Sequence, residues 1–155
     1  MSFLRKDSMV YKDLGERDYA AGETIIREGD TSTEMFIIQE GKVAVTKRIG
    51  ENEVFLATLQ RGDFFGEMSL LESLPRNATV RALTQTRLVA IRAGELLMKF
   101  RRDPTFAFEM IQRMSSRVRQ LNDQVIQLMQ LDQISRTELQ ELSLRTEFPE
   151  QKERK

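Results

Sequence analysis

Between Tyr19 and Ile91 the chain alternates short apolar runs with turn residues. Thr24-Ile25-Ile26-Arg27 stops at Glu28-Gly29-Asp30, and Met35-Phe36-Ile37-Ile38 stops at Glu40-Gly41. Val43-Ala44-Val45-Thr46 runs on toward Ile49-Gly50, and Val54-Phe55-Leu56-Ala57-Thr58-Leu59 meets Arg61-Gly62-Asp63. Runs 78–83 and 86–91 follow, and their close spacing predicts a hairpin. Closely and regularly spaced strands of this kind predict an antiparallel roll or sandwich. Residues 1–14 read as one or two helical turns anchored by Leu14.

The pattern changes near Ala93. Residues 94–102 carry Leu97, Met98 and Phe100 at helical spacing, and Asp103-Pro104 is a helix start, with a capping acid and proline at the first position. From Thr105 to Phe148 there is neither glycine nor proline. Ile111, Met114, Val118, Leu121, Val125 and Leu128 recur in alternating steps of three and four, a heptad seam. Leu131, Ile134, Leu139 and Leu142 continue it in a shifted register, as a stutter or a turn. A helix of this length leaves apolar side chains in water unless a partner covers them, so a parallel two-stranded homodimer is expected. The whole reads as mainly β with helices (α+β): a roll over 15–92, helices over 93–145 and a frayed tail over 146–155.

Residues 62–80 concentrate the chemistry. Phe64 and Phe65 form a strand end, Gly66 permits a positive φ or close approach, and Glu67–Glu72 make a turn or two of helix. The first amides of a helix favour an anion. Ser73-Leu74-Pro75 breaks the helix and Arg76 follows, placed to swing back toward the helix start. One guanidinium with several amides suits a phosphodiester monoanion better than a triphosphate. Glu67, a pure acceptor, suits a sugar hydroxyl. Taken singly, Glu67 is explained by the helix N-terminus and Arg76 by a solvated surface or a pair with Glu72. Their joint order points to a ligand with a phosphate and a free hydroxyl close together.

Phe65-Gly66-Glu67-Met68-Ser69-Leu70, a spacer, then Arg76-Asn77-Ala78-Thr79-Val80 resembles the phosphate-binding cassette of the cyclic nucleotide-binding domain family. The resemblance extends over about residues 15–128, with Gly22, Gly29, Gly41 and Gly62 where that family's roll turns. It implies an antiparallel β jelly roll with a short cassette helix and a long C-terminal helix. It also implies that Arg76 binds the cyclic phosphate and Glu67 the ribose 2′-hydroxyl. Gly66, Met68, Ser69, Asn77 and Ala78 would complete the cradle. Val45, Leu56 and Leu59 would line the base, with Leu121 or Asn122 capping it. Relatives preferring cAMP carry Ala or Ser after the cassette arginine and cGMP-dependent kinases carry Thr. Asn77 both donates and accepts, and leaves the base open, with cAMP ahead of cGMP.

Composition narrows the classes. Lys+Arg and Asp+Glu are both 24, so the net charge is zero and no overall field steers the chain to nucleic acid or membrane. There is no cysteine and no histidine, which removes disulfides, thiolate chemistry, zinc sites built on those residues and histidine general bases. A histidine-held metal of the cupin type is removed with them. No signal-peptide core or membrane-spanning run is visible, and a cytoplasmic setting is expected. The residues after Leu128 hold no second glycine-punctuated helix pair and no basic recognition helix, so DNA binding by this chain alone is not expected. The sequence thus predicts a non-enzymatic sensor without cofactor or metal. It would bind cAMP or cGMP, dimerise through its long helix and signal to an unidentified protein partner. Its rivals are a non-binding scaffold roll and a fragment of a larger regulated protein.

Overall fold

The structure is a computed structural model and describes residues 15–147, with side chains to 143. The helical turns expected over 1–14 and the tail beyond 147 lie outside the described residues. Eight strands come first, interrupted by one short helix. They are β1 (Gly15–Tyr19), β2 (Thr24–Ile26), β3 (Met35–Glu40), β4 (Lys42–Ile49), β5 (Asn52–Gln60), β6 (Phe64–Phe65), β7 (Thr79–Ala82) and β8 (Thr86–Ile91). The short helix α1 (Glu67–Glu72) lies between β6 and β7, and α2 (Ala93–Arg102) and α3 (Pro104–Glu147) follow β8.

The strands form two antiparallel four-stranded sheets, in the orders β1-β8-β3-β6 and β2-β7-β4-β5. With the helices they make the α+β jelly roll that the resemblance implied. Side chains alternate across each strand, so Val80 and Ala82 are buried while Thr79 and Arg81 face the other way. Phe36, Ile38, Val43, Phe65, Val80 and Leu88 form the core between the sheets, and Phe36 and Phe65 stack at 5.2 Å. The intervening Met35 and Ile37 are buried as well, so β3 is covered on both faces.

The run 86–91 does not form a hairpin with 78–83, contrary to expectation. β7 pairs with β2 and β4, whereas β8 pairs with β1 and β3, in the other sheet. The three residues between them carry the chain from one sheet to the other, and sequence spacing alone does not separate such a crossing from a tight turn. β1 was not anticipated. Its Gly-Glu-Arg-Asp-Tyr is almost wholly exposed and carries no apolar signal. It is held by β8 and by ion pairs of Arg17 with Glu34 and Asp18 with Arg87.

The chain divides into two units at Met110/Ile111. The first includes α2 and the opening turns of α3, whose Leu96, Phe106 and Met110 are buried. Asp103 closes α2 and its carboxylate accepts from the Phe106 amide at 3.3 Å, the cap that Asp-Pro signalled. The second unit is the rest of α3, which stays helical through the shifted register after Leu128, so no turn occurs there.

Phe36→Ala removes a stacked core ring and is expected to lower the unfolding free energy by about 3–5 kcal/mol. Phe55, on the outer side of β5 and 61% exposed, is expected to change it by no more than about 0.5 kcal/mol on the same substitution. Urea titration of the two variants checks this, and equal losses would mean that the core is misplaced.

Candidate functional site

Arg76 is the buried charge among the described residues of the first unit. It is 3% exposed, although it lies in a connecting segment. Its Nε donates to Ser32 Oγ at 3.1 Å, its Nη1 to the Gly66 carbonyl at 3.0 Å and its Nη2 to the Glu34 carbonyl at 2.6 Å. Its own amide donates to the Asp30 carbonyl, and its carbonyl accepts from the Gly29 amide, both at 2.8 Å. A buried guanidinium needs acceptors in place of water, and carbonyls supply them without neutralising it. Burial lowers its pKa, while the carboxylates of Glu34, Asp30 and Glu67 pull it back up. The group therefore stays positive, with N–H groups beyond the three engaged here.

Local sequence explains the arrangement. Gly66 caps α1 at φ 80°, a left-handed conformation that other residues adopt at a cost. A Cβ there would lie 2.7 Å from Arg76 Nη1 and 2.9 Å from the Glu34 carbonyl oxygen, so the glycine also makes room for the guanidinium. Ser73 closes α1 at φ 56°, its amide donating to the Ser69 carbonyl. Pro75 follows, and the chain turns back to bring Arg76 against the turn before α1.

The structure brings Gly66, Glu67 and Arg76 together, with Glu67 half-buried at the first position of α1. Ser69 is buried and the Met68 side chain is exposed. Of the apolar residues of α1, Leu70 is buried and Leu71 faces solvent. Asn77 engages Lys47, whose Nζ donates to the Asn77 carbonyl at 2.7 Å and to Oδ1 at 2.9 Å, and Ala78 is half-buried beside it. Val45 and Leu59 pack on the core cluster. Leu56 falls at the β4–β5 register shift, where Val45 pairs with Ala57 and Thr46 with Phe55, and it is 49% exposed. Leu121 and Asn122 belong to the second unit and are exposed on it.

Sequence reading missed Ser32, Glu34, Lys47 and Glu28. Lys47 stands two residues beyond Val45, so strand alternation could have flagged it. Its ammonium also contacts Glu28 Oε1 at 3.4 Å, and Glu28 Oε2 accepts from the Arg48 amide at 2.8 Å. These bonds, the Arg48 amide foremost, hold the Glu28 carboxyl below its ordinary pKa. Ser32 and Glu34 meet Arg76 across more than forty positions, which no local pattern encodes.

A family model described as the cyclic nucleotide-binding domain matches residues 16–103, and the chain belongs to that family. It is 44% identical over 77 residues to a cAMP-dependent protein kinase regulatory subunit from Mycosarcoma maydis, covering 50% of this chain and 15% of that protein. It is 27% identical over 138 residues to the CRP-like cAMP-activated global transcriptional regulator of Mycobacterium tuberculosis (strain CDC 1551 / Oshkosh), covering 88% and 62%. Among solved structures, the catabolite activator protein of Thermus thermophilus superposes with a TM-score of 0.67 and 30% identity, covering 82% of this chain and 57% of that one. The chain thus spans 15% of the kinase subunit's length and about three fifths of the regulators'.

Gly66 and Gly22 have similar positive φ, but nothing lies within 4 Å of a Cβ built at Gly22. Alanine at either site is expected to cost about 1–3 kcal/mol for its backbone. Gly66→Ala should cost at least ~1 kcal/mol more, because it also displaces Arg76 from its carbonyls. Equal losses in chemical denaturation would show that Arg76 is not seated against this turn.

Proposed function

We propose that the chain is a regulatory sensor that binds a 3′,5′-cyclic nucleotide at the β6–α1 turn. The observation that carries this reading is the buried, clamped and still charged Arg76 beside Glu67. Arg76 takes the exocyclic phosphate oxygens with its remaining N–H groups, and Glu67 accepts from the ribose 2′-hydroxyl. Amides near Met68, Asn77 and Ala78 complete the cradle. Val45 and Leu59 offer apolar surface to the base, with Leu56 at the edge. The relatives, a cAMP-dependent kinase subunit and a cAMP-activated regulator, support a cyclic nucleotide as ligand.

cAMP ranks ahead of cGMP as the ligand, because the relatives are a cAMP-dependent kinase subunit and a cAMP-activated regulator. Asn77 does not decide between the bases: Lys47 takes one lone pair of its amide oxygen, and the second lone pair and the NH2 both remain. Binding signals through a population shift, to the extent that the ligand's affinity differs between two arrangements of the cassette and the helices after Ala93.

The output surface is α3. Ile111, Val118, Leu121, Val125 and Leu128 are all more than a third exposed in heptad spacing, and a second copy covering them makes a parallel homodimer. An unidentified protein partner would read the state of that dimer.

Calorimetry with cAMP tests the binding. The clamp on Arg76 means that removing the side chain would also disturb the fold, so Arg76→Lys and Glu67→Gln are the useful variants. Arg76→Lys keeps the charge but loses the fork and is expected to weaken cAMP binding by at least about tenfold, with Glu67→Gln weakening it to a lesser degree. Parent-like affinity in both, or no heat and no thermal stabilisation of the parent with cAMP or cGMP, contradicts the reading and favours a non-binding scaffold. Light scattering tests the dimer. The expected mass is twice 18.0 kDa, falling to one chain in Leu121→Lys, and a monomeric parent refutes it.

A further inference from the structure

A second concave site lies on the outer side of the β2-β7-β4-β5 sheet. Thr79 and Arg81 of β7 pair across from Thr46 and Ala44 of β4 and point away from the core that Val80 and Ala82 enter. They line a hollow of about 460 Å³ with Arg27, from just after β2, and Arg48, from the end of β4. Gly50 and Thr79 are short and leave space between the long side chains around them.

The charges in this hollow do not cancel locally. Glu53 accepts from Thr46 at 2.5 Å and is paired with Arg81. Glu28 is held by Lys47 and by the Arg48 amide. Both carboxylates are therefore occupied. The guanidinium of Arg27 has no hydrogen bond and no ion pair within 4 Å among the described residues, and that of Arg48 has none either, acting on Glu28 and Glu53 only through its field. The Thr79 hydroxyl accepts from the Glu28 amide at 3.0 Å and keeps its own proton to donate. The charges left unpaired in the hollow are thus cations, brought from two separate elements by the fold.

We propose that this hollow binds the dianionic phosphoryl group of a small organic phosphate, held by Arg27 and Arg48. Planar guanidiniums match phosphate oxygens in pairs, and two of them balance a dianion where a carboxylate would leave one unpaired. The hollow falls within the volume range of small-molecule sites, so the organic part has room beside the phosphoryl group. This site does not include Arg76 and does not depend on the cyclic nucleotide reading.

The test is a titration of the full chain with ribose 5-phosphate, followed by backbone amide and arginine Nε–H resonances, against sodium chloride at equal ionic strength. Saturable shifts are expected at Arg27, Arg48 and Thr79. The double variant Arg27→Gln, Arg48→Gln should raise Kd by at least about tenfold with an unchanged unfolding midpoint, since both residues are exposed. Arg76→Lys should leave this Kd as it is, which separates the outcome from that of the cAMP titration. Shifts no larger than the chloride control, or a double variant that binds as tightly as the parent, overturn the proposal.

Discussion

The first unit is organised around a positive charge that has lost its water. Desolvating a guanidinium is costly unless its N–H groups find acceptors, and here the acceptors are the Gly66 and Glu34 carbonyls and the Ser32 hydroxyl. They belong to two separate stretches of chain, so Arg76 ties the β2–β3 connection to the turn before α1. The Glu34 carboxylate is itself gripped by Arg17 of β1 at 2.8 and 3.0 Å. The exposed first strand is thereby joined to the same assembly. Breaking the centre would leave carbonyls and a cation unsatisfied together, which explains why the requirement reaches back to a glycine at position 66.

This constraint has a functional consequence. An arginine held by neutral carbonyls keeps its full charge and fixed direction, and an anion arriving beside it meets an oriented donor set instead of a mobile side chain. Lys47 acts in parallel on the next residue, where it fixes the Asn77 carbonyl and engages its side-chain oxygen. Glu28, which shares that lysine, also lines the outer hollow. The two faces of the second sheet are thus linked through one polar chain from Glu28 to Asn77.

Much of this was legible in the chain. Gly66, the helix 67–72 and the proline break are local signals, and each element formed where its residues place it. The Asp103-Pro104 start and the seam from Ile111 to Leu128 are also local, because helical period and capping need only near neighbours. What was hidden depends on pairing at long range. Spacing suggested a hairpin for 78–83 and 86–91, whereas the roll sends them to different sheets. The register shift that leaves Leu56 half exposed comes from β4–β5 pairing, and strand alternation alone does not reveal it. Ser32 and Lys47 are ordinary polar residues in sequence and gain meaning only from what folding sets beside Arg76 and Asn77.

The most direct measurement is the structure of the chain crystallised with cAMP. The account predicts an exocyclic phosphate oxygen about 2.7–3.2 Å from the Arg76 guanidinium, with the ribose 2′-hydroxyl donating to Glu67. A nucleotide seated elsewhere, with Arg76 bonded only to the carbonyls of Gly66 and Glu34, would contradict it.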